Sequence, residues 1–125
     1  MSSTEGLKFS KDHEWIKMDG DIALVGISEF AQAELGDIVF IEVETTGETL
    51  SKDDVFGSVE AVKTVSDLFM PVDGEVLEFN ESLNDNPELV NSDPYGAGWI
   101  IKVKVSQPDQ LNDLMDSEAY QSFLG

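Results

Sequence analysis

The chain has 125 residues, 41% of them hydrophobic, and sets 26 acidic residues against seven lysines, a formal net charge of −19. That length suits one compact domain, and so negative a surface repels phosphate backbones and anionic headgroups, so neither nucleic acid nor a membrane is expected as a partner. With no cysteine, disulfides, thiolate nucleophiles and thiolate metal sites are excluded.

No apolar run approaches the roughly 18 residues of a membrane-spanning helix. The opening Met1-Ser2-Ser3-Thr4-Glu5 lacks a basic start and the Arg-rich character of an organellar presequence. A cytoplasmic protein is expected, or one of the mitochondrial matrix if a presequence has been removed. Charge of one sign opposes self-association, and a monomer is expected.

Residues 7–9 and 14–18 read as short strands, and Asp19-Gly20 as the turn into a third strand over 21–27. Ser28 is a good N-cap, Phe30, Ala31 and Leu35 share a face, and Gly36 supplies a stop, which predicts a helix over 28–35. Residues 37–44 alternate, with Ile38 and Phe40 on one side and Val39, Ile41 and Val43 on the other. Apolar residues on both faces predict a buried strand. Residues 45–54 are polar, contain Gly47 and read as a connection.

Residues 55–70 carry strand-forming chemistry throughout. One strand of that length would run roughly 50 Å, too long for a domain whose radius of gyration is roughly 14 Å. The segment must fold back near Lys63. Nothing from Val62 to Val65 is Gly, Pro, Asn or Asp, so the bend is made without the usual turn residues. Lys63 then sits at a hairpin apex, its amine standing clear of the body and reachable by a large partner.

Met70-Pro71-Val72-Asp73-Gly74 reads as a turn, followed by a strand over 75–79. Residues 80–98 are irregular, with a short helix capped by Asn86, opened by Pro87 and ended by Ser92-Asp93-Pro94. Residues 99–105 form a strand with Trp99, Ile101, Val103 and Val105 on one side and Lys102 and Lys104 on the other. Ser106 and Asp109 resemble a capping box, opening a helix with Leu111, Leu114 and Met115 on one face; a further turn or two places Tyr120, Phe123 and Leu124 inward. Together these elements predict one mainly β domain over 1–125, barrel-like or sandwich-like, with short helices in its N-terminal half and a C-terminal helical segment over 106–124.

No nucleophile elbow, phosphate loop or Gly-x-Gly-x-x-Gly occurs. His13, the one histidine, has no Cys partner and reads as structural, beside Trp15. Asn84-Asp85-Asn86 lacks the glycine and distal Glu of an EF-hand loop, and no metal site is expected.

Gly57-x-Val59-Glu60-Ala61-Val62-Lys63, then Ser66-Asp67 and Pro71-Val72-x-Gly74-Glu75-Val76, resembles the lipoylation hairpin of the H-protein family of the glycine cleavage system. His13-Glu14-Trp15, Gly26-Ile27-Ser28-Glu29-x-Ala31-Gln32, Leu35-Gly36-Asp37, Glu88-Leu89-Val90-Asn91 and Pro94-Tyr95-x-x-Gly98-Trp99 resemble blocks of the same family in the same order. The resemblance implies the flattened antiparallel barrel/sandwich hybrid of lipoyl and biotinyl carriers, two quasi-twofold halves that meet at Lys63, with Gly47 and Gly74 in turns on either side of its hairpin. It implies lipoic acid as an amide on Lys63 (N6-lipoyllysine), with Glu60, Gly47 and Gly74 read by the attaching enzyme. Glu14 and Asp67, with Asp12 beside Glu14, match the pocket where the loaded arm rests, and carboxylates suit its cationic aminomethyl load.

The implied role is a non-catalytic carrier. It takes the aminomethyl group of glycine from a pyridoxal-phosphate glycine decarboxylase (P protein) to a tetrahydrofolate-dependent aminomethyltransferase (T protein). Dihydrolipoamide dehydrogenase (L protein) then reoxidises it, and a lipoate ligase or lipoyltransferase attaches the arm. A lipoyl-relay or regulatory binding module on the same scaffold is the alternative. A biotin carrier fits less well, because Val62 and Thr64 flank the lysine where methionines are usual.

Overall fold

The computed structural model describes residues 6–124; residues 1–5, read above for the lack of a basic leader, and Gly125 fall outside the described residues. Among the described residues, nine strands form two antiparallel sheets. The larger takes the order β1-β2-β3-β9-β8-β5 and the smaller β4-β6-β7. In chain order the strands are β1 (Lys8–Phe9), β2 (Glu14–Asp19), β3 (Ile22–Ile27), β4 (Ile38–Glu42), β5 (Thr49–Leu50), β6 (Val55–Ala61), β7 (Val65–Phe69), β8 (Gly74–Phe79) and β9 (Ile101–Val105). Helix α1 (Glu29–Leu35) links the first hairpin to β4, α2 (Ser82–Asp85) and α3 (Leu89–Ser92) lie between β8 and β9, and α4 (Ser117–Leu124) ends the chain. Among the described residues the sheets do not close into a barrel; they pack as the expected flattened sandwich.

Strand alternation sorts the side chains into two apolar clusters. Val25, Ile41, Phe56, Val59, Leu68, Val76, Ile101 and Val103 meet between the sheets. Trp15, one residue before the core residue Ile16, turns to the opposite face of β2 and packs with Leu7, Phe9 and Tyr120. Phe9 and Tyr120 stack with centroids 4.3 Å apart, and Trp15 Nε1 donates to the Pro94 carbonyl at 2.9 Å. The C-terminal helix thereby covers a face that the main core does not use.

Helix α1 forms as its sequence requires: Ser28 Oγ accepts the Ala31 N–H at 3.1 Å, and Gly36 ends the helix at φ 83°. The first hairpin closes with Asp19 opposite Ile22, which puts Gly20, at φ 69°, and Asp21 in the loop, one residue beyond the expected pair.

Several expectations are corrected. β4 is not buried on both faces. A bulge between Ile38 and Phe40 leaves Ile38 and Ile41 buried but turns Val39 and Phe40 out to 47% exposure each. β4 is an edge of the small sheet, where a bulge can break the two-residue alternation. The connection over 45–54 contains β5, and the irregular region contains α2; both are too short to leave a periodic signal. The expected capping-box helix is a 3-10 run, Pro108–Asp113, with no side-chain cap. Leu111 and Leu114, three apart, suit a three-residue turn. Phe123 stays 52% exposed, whereas Tyr120 is buried as expected.

Gly74 starts β8 against β9, and a Cβ there would lie 2.5 Å from Val103 Cγ1 and 2.6 Å from the Lys104 carbonyl oxygen. Gly74→Ala is therefore expected to cost about 1–3 kcal/mol through overpacking. Calorimetry checks this: the melting midpoint falls by several degrees, and an unchanged midpoint contradicts the packing.

Candidate functional site

Strands β6 and β7 pair from Val55 opposite Phe69 to Glu60 opposite Val65, and the chain reverses over 62–64. None of these three residues takes a positive φ. The turn is closed by its own backbone, Ala61 N–H donating to the Thr64 carbonyl at 2.8 Å, and tied to the body by Val62 N–H, which donates to the Asp37 carbonyl at 3.0 Å. A tertiary tether thus supplements the turn's own closing bond, and the bend needs no Gly, Pro, Asn or Asp.

Lys63 is exposed at this apex, yet its side chain does not stand clear of the body as expected. Lys63 Cε lies 3.1 Å, and Nζ 3.6 Å, from where a Cβ of Gly36 would be. The glycine that ends α1 thus leaves room for the lysine to lie over the helix end.

Leu35, the preceding residue, lines a cavity of about 200 Å³ between α1, the loop before β2 and the inner side of the hairpin. Asp12, Glu14 and Asp67, singled out from the sequence, all line it. Phe30, Ala31 and Glu34 of α1 add a wall, and Val59 and Leu68 an apolar floor. Glu34 is a carboxylate the sequence reading missed; its signal was the i, i+4 spacing from Phe30 on one helix face.

Glu14 is the buried member, 2% exposed. Ser10 Oγ donates to its Oε1 at 2.7 Å and Phe69 N–H to its Oε2 at 3.3 Å, so its carboxyl joins β2 to β7 across the two sheets. Burial pushes the carboxyl up to about 8 from an ordinary 4.5, against the pull of those two hydrogen bonds, and the negative charge of Asp12 adds to the rise. At neutral pH Glu14 is mostly a neutral acid.

His13 also lines the cavity. It takes φ 70°, in the left-handed region, where a non-glycine residue is strained. Its Nδ1 lies 2.8 Å from Tyr120 Oη, which lies 2.7 Å from Ser28 Oγ. Tyr120, Phe30 and Phe123 surround the ring, in place of the expected Trp15. Tyr120, more than a hundred residues away in sequence, carried no signal for this role.

Gly47 and Gly74 are not brought to the hairpin tip. Gly47, at φ 91°, donates its N–H to the Val76 carbonyl at 2.7 Å, and Gly74 pairs with Leu50, so both serve the β5–β8 edge of the large sheet. Glu60 lies on the exposed side of β6, between Phe40 and Val65.

Between pH 4.5 and 8 the folded state holds a proton on Glu14 that the unfolded chain has released. The stability this group contributes is complete below that window and is lost as pH rises through it, at about 1.4 kcal/mol per pH unit. Glu14→Gln, a neutral isostere, is expected to gain on the wild type as pH is raised from 5 to 8. Denaturant titrations at stepped pH check this, and parallel pH curves for the two proteins contradict it.

The family model described as Glycine cleavage H-protein matches residues 7–125. The chain is 54% identical over 122 residues to a glycine cleavage system H protein of Bacteroides thetaiotaomicron, covering 98% of this chain and 97% of that one. It is 55% identical to a protein of the same description from Pelodictyon phaeoclathratiforme, covering 100% and 99%. A crystal structure of a glycine cleavage system H protein from Mycobacterium marinum superposes with a TM-score of 0.86 at 36% identity, covering 96% of this chain and 97% of that one. Family model, full-length relatives and fold agree: the chain belongs to the glycine cleavage H-protein family.

Proposed function

We propose that this chain is the lipoylated carrier of a glycine cleavage system, with the arm on Lys63. One observation carries the reading: the hairpin that presents Lys63 at its tip also walls, with Val59, Ser66, Asp67 and Leu68, a cavity lined by four carboxyl groups. An arm rooted at the tip begins beside Gly36, one residue from the cavity wall at Leu35. The amide to Lys63 Nζ removes the lysine charge and survives each cycle, while the dithiolane supplies the disulfide that takes up an aminomethyl group.

The protein's own residues then hold, shelter and discharge. Val59 and Leu68 exclude water from one side of the cavity. Asp12, Glu34 and Asp67 set a negative field that favours a cationic amine. Glu14, a neutral acid at rest, gives up its proton when a cation sits beside it, because a nearby positive charge lowers a carboxyl pKa. Loading therefore converts a protonated buried acid into a carboxylate paired with the cation, its proton passing to solvent.

The chain supplies attachment and shelter, and the enzymes supply the reactions: a P-type glycine decarboxylase loads the arm, a T-type aminomethyltransferase unloads it, and an L-type dihydrolipoamide dehydrogenase reoxidises it. One carrier that visits three unlike enzymes is best served by weak, electrostatically guided encounters, for which the net charge of −19 is suited. Glu60, exposed next to the tip, is the residue that the attaching enzyme reads, and Gly47 and Gly74 enter only through the scaffold they shape.

Incubation with lipoate, ATP and a lipoate ligase, followed by intact mass and peptide mapping, tests the assignment. A single lipoyl adduct on Lys63 is expected. Lys63→Arg, which keeps the charge but offers no acylatable amine, should fold, take no adduct and support no glycine cleavage. An adduct elsewhere, or glycine cleavage by the variant, contradicts the proposal.

A further inference from the structure

The bulge in β4 leaves an observation that the core does not explain. Val39 and Phe40, consecutive in sequence, both face solvent at 47% exposure, on an edge strand of the small sheet. Exposed edges are normally blunted with charge or proline, because apolar ones invite association. Phe40 lies opposite Glu60, and Glu60 opposite Val65, itself 65% exposed; Val62 at the tip is 74% exposed. Single exposed apolar residues need no explanation, but these four adjoin one another around the root of Lys63.

The charge around them has one sign. Lys63 is the only cationic side chain carried by the small sheet and its turn; the other six lysines lie on β1, β2, β9 and loops of the larger sheet. Glu60 sits inside the patch, and Glu42, on the next outward row, borders it. The chemistry that fits is an apolar protein surface with a rim of Lys or Arg.

We infer that the outer face of the small sheet, Val39, Phe40, Val62 and Val65 around Glu60, is the docking surface for the enzyme that acylates Lys63. The inference rests on the reading of Lys63 as the attachment site. Geometry selects this occupant. An acylating enzyme must bring its reactive centre to Nζ at the tip, so its rim must cover what surrounds the tip, and the other side of the hairpin is already packed against the core. Enzymes that act on the far end of a long arm need not touch this face. The β4 bulge then has a purpose: it lends the hairpin two apolar side chains from a neighbouring strand, making a recognised surface out of a bare turn.

The test compares the full chain with a Val39→Thr/Phe40→Thr double variant, which keeps strand propensity and removes the apolar contact. Both are titrated as substrates of a lipoate ligase with lipoate and ATP. The KM for the variant is expected to rise on the order of tenfold, the effect of losing one hot-spot contact, with kcat within about twofold. Reduction of the already lipoylated variant by NADH and dihydrolipoamide dehydrogenase should match the wild type. An unchanged ligase KM overturns the inference while leaving the carrier assignment intact; failure of the wild type itself to accept lipoate overturns the carrier assignment first. Should the wild type sediment as a dimer that the substitutions dissolve, the face is covered by a second copy and the inference fails. Amide exchange on the wild type decides the matter if the variant does not fold. Added ligase should slow exchange over 38–42 and 62–65, and no protection there overturns the inference.

Discussion

The buried carboxyl of Glu14 is the constraint on which the rest of the site depends. It stands where β2 of the large sheet meets β7 of the small one, and its two oxygens are satisfied by Ser10 Oγ and the Phe69 N–H. A carboxylate buried at that depth is costly unless it is paired. The fold meets the cost with a proton, which holds the group neutral up to about pH 8. A carboxyl held in this way loses its proton beside a positive charge, and Glu14 lines the cavity that the hairpin walls.

The β6–β7 hairpin serves two opposed faces at once. Its inner residues, Val59 and Leu68, are core, and with Ser66 they wall the cavity. Its outer residues, Glu60 and Val65, form the surface around the lysine. The tip belongs to neither face, and it is fixed by the Ala61–Thr64 backbone bond across it and by the backbone of Asp37. Strand alternation thus lets seven and five residues of two short strands build a cavity wall on one side and the exposed surface around Lys63 on the other.

Local chemistry was legible in the sequence wherever neighbouring residues decide it. The Ser28 cap, the Gly36 stop, the reversal near Lys63 and the alternating β9 strand all appear within a residue or two of where they were expected. Glu14 and Asp67 came from family resemblance and Asp12 from its place beside Glu14 in the chain, and the three share one cavity. What stayed hidden depends on distant partners: the bulge that exposes Phe40, the Tyr120 hydroxyl that meets His13, and the place of Glu34 in the cavity wall. β4 shows why. Its alternation of apolar residues is the pattern of a strand buried on both faces, and only the pairing with β6 reveals that one face has no cover.

In the proposed carrier, Glu14 is the residue that holds the loaded arm. The decisive measurement is the rate of ammonia release from the lipoylated, aminomethyl-loaded protein in the absence of the aminomethyltransferase, for the wild type and for Glu14→Ala. Lipoylation of the variant should be intact and its ammonia release faster by roughly tenfold, the consequence of losing a hydrogen bond to a charged group. Equal lifetimes for the two loaded proteins would contradict the account.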